Sequence, residues 1–230
     1  MLDQNELDGL AGFDTPTICN AIEVLAPERR GWGYTVSPFF VLDRSAPPMV
    51  GYARTATIRA SQPTGRSPEA DRASRIAYYK HIDEGDEPTI TVIEDIDAHV
   101  GFGAWWGEVH SNVHKGLGSL GVITNGSIRD VDDWADGFQA LAGSLSPSHA
   151  WVHEVEYAIP VTVHGMAVSP GDLIHADVHG AVVVPDAIAR DIPEVLADLI
   201  EKESTLITAS QAEGFSAEVY ERLINSFGPH

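Results

Sequence analysis

The sequence predicts a mixed α/β domain. Three observations point there. Helix-like and strand-like stretches alternate through the middle of the chain, short strand-like runs separated by His-Gly and Pro-Gly turns follow, and an amphipathic helix comes near the end. That order departs from a purely doubly wound sheet and fits a central mixed sheet with flanking helices. The chain has 230 residues, 43% of them hydrophobic, enough for a sizeable core. No repeat, low-complexity tract or long linker divides it, so one domain over 1–230 is expected.

Each element has its own reason. Asp14-Thr-Pro-Thr reads as a helix start, with Asp14 as cap and Pro16 in the first turn, and the helix continues through Ile18, Ala21, Ile22 and Leu25. Tyr52 to Ala60 is rich in β-formers, residues 62–75 carry a polar loop, and Asp71 to Ile82 reads as helix. A strand over Thr89–Ile96 runs into the glycine-rich loop Gly101–Gly107, and Glu108 to Leu117 reads as helix. Leu120 to Thr124 is a nearly continuous apolar run, as in a strand covered on both faces. Asn125-Gly126 after it is a turn signal, and Asp132 to Ala140 should be helical. Ala158–Val163, Met166–Val168, Asp172–Ala176 and Ala181–Val184 form the expected meander. Ile188, Ile192, Val195, Leu196, Leu199, Ile200, Leu206 and Ile207 fall at helical spacing, and a last helix covers Ala217 to Ser226. These helices, 187–226, are expected to pack on the domain or on a neighbouring subunit.

Bulk properties exclude several roles. With 34 acidic against 14 basic side chains the net charge is -20, which repels nucleic-acid backbones. No run approaches the ~18 apolar residues of a membrane span. The first residues, Met-Leu-Asp-Gln-Asn-Glu, lack a signal-peptide pattern, so the cytoplasm is the expected compartment. The single cysteine, Cys19, rules out an internal disulfide and reads as a small residue on an apolar helix face.

The chemistry concentrates at two strand ends. The apolar strand before Ser-Ile-Arg129-Asp130 puts Arg129 and Asp130 just beyond its carboxyl end, where ligands of α/β proteins gather. The glycine-rich loop after the preceding strand lets backbone approach a ligand, and Glu108 stands at its exit. A carboxylate beside an arginine can hold Mg²⁺ or Mn²⁺ through oxygen, and the guanidinium fork suits a carboxylate substrate. The residues alone equally allow a structural ion pair, with Asp130 as a helix cap.

Glu108, twenty intervening residues and Arg129-Asp130 resemble the signature of the class II 4-hydroxy-4-methyl-2-oxoglutarate/4-carboxy-4-hydroxy-2-oxoadipate aldolases. That family also contains the regulator of ribonuclease activity A. Gly51–Thr57, Trp106-Gly-Glu108, Gly118–Asp132 and Val168–Pro185 are similar to family blocks in the family's order. The resemblance implies a swivelling β/β/α-type fold, assembled as a homotrimer or a dimer of trimers with sites between subunits. It implies Asp130 as metal ligand, Arg129 as the group holding a 2-oxo acid, and Glu108 as the group positioning a water. The backbone of Gly103, Ala104, Trp105, Trp106 and Gly107 would help bind the substrate. The implied reaction is retro-aldol cleavage of a 4-hydroxy-2-oxo acid to pyruvate and an oxo compound, aided by Mg²⁺ or Mn²⁺. The same chemistry would decarboxylate oxaloacetate, and three lysines in the whole chain argue against a Schiff base.

The resemblance leaves two other readings open. One is a non-catalytic binding protein of the ribonuclease-regulator type, which shares the glutamate at position 108. The other is a lyase or hydratase acting on another oxo or hydroxy acid, suggested by bulky Trp105-Trp106 and the specialised segment Ser148–Glu154. His149 and His153 in that segment are candidates for shaping substrate choice. The pairs His110/His114, His149/His153 and His175/His179 have i, i+4 spacing, but only the first lies on an expected helix, and structural roles are expected for most of them. Asp172 and Asp177 read as turn support. Glu201 and Glu203 are candidates for a carboxylate lent to a neighbouring subunit's site.

Overall fold

The computed structural model describes residues 1–227. The chain opens with helix α1 (Gln4–Ala11), which the periodicity alone did not reveal. Its start is a capping box: the Asp3 carboxylate accepts from the Glu6 amide, and the Glu6 carboxylate accepts from the Asp3 amide. Helix α2 (Thr15–Leu25) begins as expected, with the Asp14 carboxylate accepting from the Thr17 amide. A 3-10 turn (Pro27–Arg29) and a two-residue strand β1 (Phe40–Val41) lead to β2 (Met49–Arg59), whose eleven residues are nearly all buried.

Helix α3 (Pro68–Ile82) starts three residues before Asp71, because Ser67 caps it and Pro68 fits the first turn. Then come β3 (Thr89–Asp95), α4 (Glu108–Gly116), β4 (Ser119–Ile128) and β5 (Gln139–Leu145). The smaller strands are β6 (His153–Tyr157), β7 (Val161–Val163), β8 (Met166–Val168), β9 (Leu173–Asp177) and β10 (Gly180–Val184), followed by α5 (Ile192–Ser210) and α6 (Ala217–Phe227).

Eight strands make one mixed sheet: seven in the order β1-β5-β4-β3-β2-β9-β10, with β6 paired to β2 off that path. The run β2-β3-β4-β5 is parallel, and β1, β9, β10 and β6 are antiparallel to their neighbours. Strand β2 is long enough to share one edge: Met49–Tyr52 pair with β9, and Ala56–Arg59 pair with β6. The expected meander is therefore two separate hairpins, β7-β8 in its own small sheet and β9-β10 in the large one.

Two local expectations give way to tertiary structure. Strand β4 does not turn at Asn125-Gly126; it runs on to Ile128 with a register irregularity between Thr124 and Ser127. The Asn125 side chain acts as an extra peptide group, accepting from the Asp95 amide at 2.7 Å and donating to the Asp95 carbonyl at 3.0 Å. The expected helix over Asp132–Ala140 does not form. Gly137 sits at φ 73, Ala135 donates its amide to the Ser111 hydroxyl, and Gln139 onward joins the sheet as β5. Trp134, Ala135 and Phe138 still pack inward, so their helical spacing reflected burial and not a helix.

Three apolar clusters hold the domain together. One lies under the sheet against β7 and β8, one joins α1, α2 and α5 to β2, β9 and β10, and the third lies beneath α3 and α4 around Trp105 and Trp106. Helix α5 starts at Ile192, four residues after Ile188, and buries Ile192 and Leu196. Among the described residues no helix is long and apolar enough to cross a membrane.

Candidate active site

The four parallel strands end on the same side, and the segments that follow them line one cleft of about 530 Å³. Residues 63–75 follow β2, residues 104–110 follow β3, Arg129 follows β4, and residues 149–154 follow β5. This is where an open parallel sheet offers backbone and side chains to a ligand. Arg66, Arg75 and Arg129 face it against the carboxylates of Asp71 and Glu154. Three guanidiniums thus meet two carboxylates in the cleft itself, in a chain of net charge -20.

The predicted residues converge at the lip of this cleft. Asp130 adopts a left-handed backbone, φ 53, which costs a non-glycine residue about 1 kcal/mol or more. The bend turns its carboxylate back toward the start of α4. There Oδ2 lies 3.4 Å from the Glu108 amide and 3.6 Å from Arg129 Nε. Gly107 leaves the necessary room: a Cβ there would come 2.5 Å from Asp130 Oδ2 and 3.2 Å from Arg129 Cγ. The two strand ends are stitched together where the Arg129 amide donates to the Trp106 carbonyl at 3.0 Å. Arg129 and Asp130 are each a little over a third exposed, open to a ligand. Glu108, the first residue of α4, is exposed.

Other expectations are modified. Ala104 lines the cleft, but its amide is engaged with the Ser148 carbonyl at 2.9 Å. Gly103 packs so tightly that a Cβ would meet the His149 carbonyl at 2.6 Å, so its role is close chain approach. Trp106 is fully buried in the core against Phe138 and His114. Trp105 is the cleft-wall residue, with its ring 4.5 Å from that of His110.

The histidine pairs resolve individually. His114 is buried, donating from Nδ1 to the His110 carbonyl and accepting at Nε2 from the Tyr78 hydroxyl. His110 Nδ1 pairs with the Tyr79 hydroxyl at 2.9 Å. Burial pulls His114 down to about 4; burial, with His114, Arg75 and Arg129 nearby, pulls His110 down to about 3. Burial likewise pushes the Tyr79 hydroxyl up to about 12. His175 donates to the Leu10 carbonyl and accepts from the Thr15 hydroxyl, while His179 pairs with Asp177. His149 and His153 line the cleft, each with Nδ1 against a carbonyl of its own segment.

Asp172 supports a turn through the Ser169 amide, and Asp177 holds the Thr15 and His179 amides. Cys19 is half-buried, and burial pushes its thiol up to about 11. Glu201 and Glu203 are exposed on α5.

The sequence marks Glu154 only as the end of the specialised segment Ser148–Glu154, and it does not single out Arg66 or Arg75 for the cleft, nor Asp95 and Asp97, which fasten its loops. Asp97 accepts from the Ala60 and Ser61 amides and the Ser61 hydroxyl; Asp95 accepts from the Asp97 and Gly101 amides. A signal was available for the arginines: both sit in or beside the polar segment that follows the carboxyl end of β2.

Fold and cleft together define an α/β protein with a cleft at the carboxyl ends of its parallel strands. A family model described as RraA-like, Aldolase/RraA, matches residues 15–183, and the chain belongs to that family. It is 33% identical over 102 residues to an uncharacterized protein of Methanocaldococcus jannaschii, MJ0644, covering 44% of this chain and 49% of that one. It is 39% identical over 74 residues to a Burkholderia mallei protein provisionally named 4-hydroxy-4-methyl-2-oxoglutarate aldolase, covering 31% of this chain and 44% of that one. In both cases the match spans about half the relative's length or less. Among solved structures, Streptomyces coelicolor RraAS2, described as an unusual member of the RNase ES inhibitor RraA protein family, superposes with TM-score 0.68 at 23% identity over 89% of this chain and 96% of that one. A structure described among novel cellulases from gut-associated microbes gives TM-score 0.71 at 19% identity over 89% and 88%. At these identities the likeness speaks for the fold alone.

Proposed function

We propose that this chain is a divalent-metal-dependent class II aldolase that cleaves a 4-hydroxy-2-oxo acid to pyruvate and an oxo compound. The observation that carries the reading is the packing of the Arg129-Asp130 bend against the Gly107-Glu108 helix start, at the lip of a cleft lined by three arginines. The aldolase name of a relative supports it.

Among the described residues no group of three metal-ligating side chains comes together, so a hard cation would be held here by one carboxylate with most of its waters kept. Mg²⁺ and Mn²⁺ are commonly held by one or two carboxylates with several waters retained. Asp130 offers a partly exposed carboxylate, kept clear by the missing side chain of Gly107, and would be the ligand. Glu108 stands beside it to orient a water. When bound, the ion supplies Lewis-acid stabilisation of the charge that develops on the oxo acid.

The chain's own groups do the rest. Arg129 grips the substrate carboxylate through its guanidinium fork. Trp105 gives the reacting carbons an apolar wall. The water oriented by Glu108 returns a proton to C3 once the C3–C4 bond has broken. Sites shared between subunits of a homotrimer, or a dimer of trimers, remain part of this reading.

The test is direct. Protein stripped with chelator is assayed for pyruvate release from a panel of 4-hydroxy-2-oxo acids, and for oxaloacetate decarboxylation, before and after adding Mg²⁺ or Mn²⁺. Restored turnover is expected. A protein inactive on every compound with either metal ends the aldolase reading.

A further inference from the structure

Retro-aldol cleavage needs an acceptor for the proton of the C4 hydroxyl, and the cleft holds an unassigned carboxylate. Glu154, on β6, is 2% exposed and lines the cleft. One of its oxygens, Oε2, has no hydrogen-bond partner. The nearest guanidiniums are too far for hydrogen bonds, Arg66 at 3.6 Å from Oε1 and Arg75 at 4.0 Å from Oε2. A second orphan belongs to another residue lining the cleft: the indole Nε1 of Trp105 is buried without an acceptor. Arg75 adjoins both, since its guanidinium carbon lies 5.8 Å from the Trp105 ring centroid. Its side chain is half exposed and lines the same cleft.

Leaving a buried acceptor and a buried donor unmet is costly, and a catalytic role is one explanation of such a cost. One chemical group answers both: a hydroxyl donates once and accepts as well. Resting on the aldolase reading, we propose that Glu154 is the base that takes the C4-hydroxyl proton, with Trp105 Nε1 donating to the same oxygen. The O–H proton passes to Glu154 Oε2, the C4–O bond becomes a carbonyl, and the C3–C4 bond breaks. Its electron pair passes into the enolate of pyruvate, which gains a proton at C3 from the water beside Glu108. Glu154 then returns its proton to solvent. The substrate class follows: the departing half must carry a free hydroxyl on the carbon that is cleaved.

The experiment compares wild type with Glu154→Gln, which keeps the side chain's size, and with Glu154→Leu. It measures kcat/KM for retro-aldol cleavage of the best 4-hydroxy-2-oxo acid and the inhibition constant of pyruvate, which lacks the hydroxyl. Both variants are expected to lose retro-aldol kcat/KM by roughly 10²- to 10⁴-fold, mainly in kcat for Glu154→Gln, with pyruvate inhibition within about threefold of wild type. Retro-aldol activity within tenfold of wild type in Glu154→Gln overturns the assignment. So does a parallel loss of pyruvate binding, which marks a structural role. If wild type itself releases no pyruvate from any hydroxy-oxo acid, it is the aldolase reading that fails, and this assignment goes with it.

Discussion

Gly107→Ala isolates the geometry of the lip. The glycine is in extended backbone, φ -171, which any residue adopts, so the substitution acts through its added carbon alone. That carbon would stand 2.5 Å from Asp130 Oδ2. Reaching van der Waals contact near 3.4 Å moves the carboxylate by about 0.9 Å. Asp130 is partly exposed and can yield, which keeps the stability cost near the low end of overpacking, about 1 kcal/mol. For a chain of this size that lowers Tm by about 2–4 °C. Catalysis is less forgiving, because a displacement near 1 Å at a reacting group can cost about 100-fold. The assay is metal-dependent pyruvate release, coupled to NADH oxidation by lactate dehydrogenase, with Tm measured on the same samples. Unchanged kcat/KM would refute the placement of Asp130 in the site. A fall in Tm beyond about 10 °C would refute the claim that the effect is local.

Other expectations follow from the same contacts. Asp130→Gly and Asp130→Ala should both abolish metal-dependent turnover. Only the alanine should pay for the left-handed backbone, leaving its Tm below that of the glycine variant. Equal Tm values, or full activity in either, would count against the assignment. His110 and His114 are held neutral, with values depressed from 6.5 to about 3 and about 4. The unfolded chain therefore binds more protons below pH 6.5. Stability from this source is complete above pH 6.5 and is lost as pH falls toward 4, on the order of 3 kcal/mol for His114. Tm measured from pH 7.5 to 4.5 should fall, and less steeply in His114→Gln.

Much of the fold was legible where signals were local. Asp14 and Pro16 fixed the start of α2, and the apolar runs marked the parallel strands. The Asp3…Glu6 capping pattern marked α1 equally well, but its helix is too short for periodicity to stand out. What local signals misjudged was long-range pairing. Asn125-Gly126 has the chemistry of a turn, yet Asn125 spends its amide on Asp95, thirty residues away, and the strand continues. Trp134, Ala135 and Phe138 have helical spacing, yet they answer to Trp106 and Ser111. The site divides the same way. Arg129, Asp130, Gly107 and Glu108 share a readable pattern of spacing. Glu154 reaches the cleft because β6 pairs with the far half of β2, and Arg66 because it donates to the Glu154 carbonyl. No spacing in the sequence encodes that meeting.

The closure of the N-terminal helices onto β9 and β10 also bears on how the molecule comes into being. The first helices close onto the last strands: the Thr15 amide meets the Asp177 carboxylate, and His175 reaches the Leu10 carbonyl. Contacts this remote in sequence slow folding, since loop closure must precede their reward. During synthesis the cleft segments are complete by residue 154, while the N-terminal helices have β2 but still lack β9, β10 and α5. The nascent chain must hold the exposed faces of α1 and α2 in waiting until β9 and β10 leave the ribosome, and that interval is when it is most open to aggregation or to a chaperone.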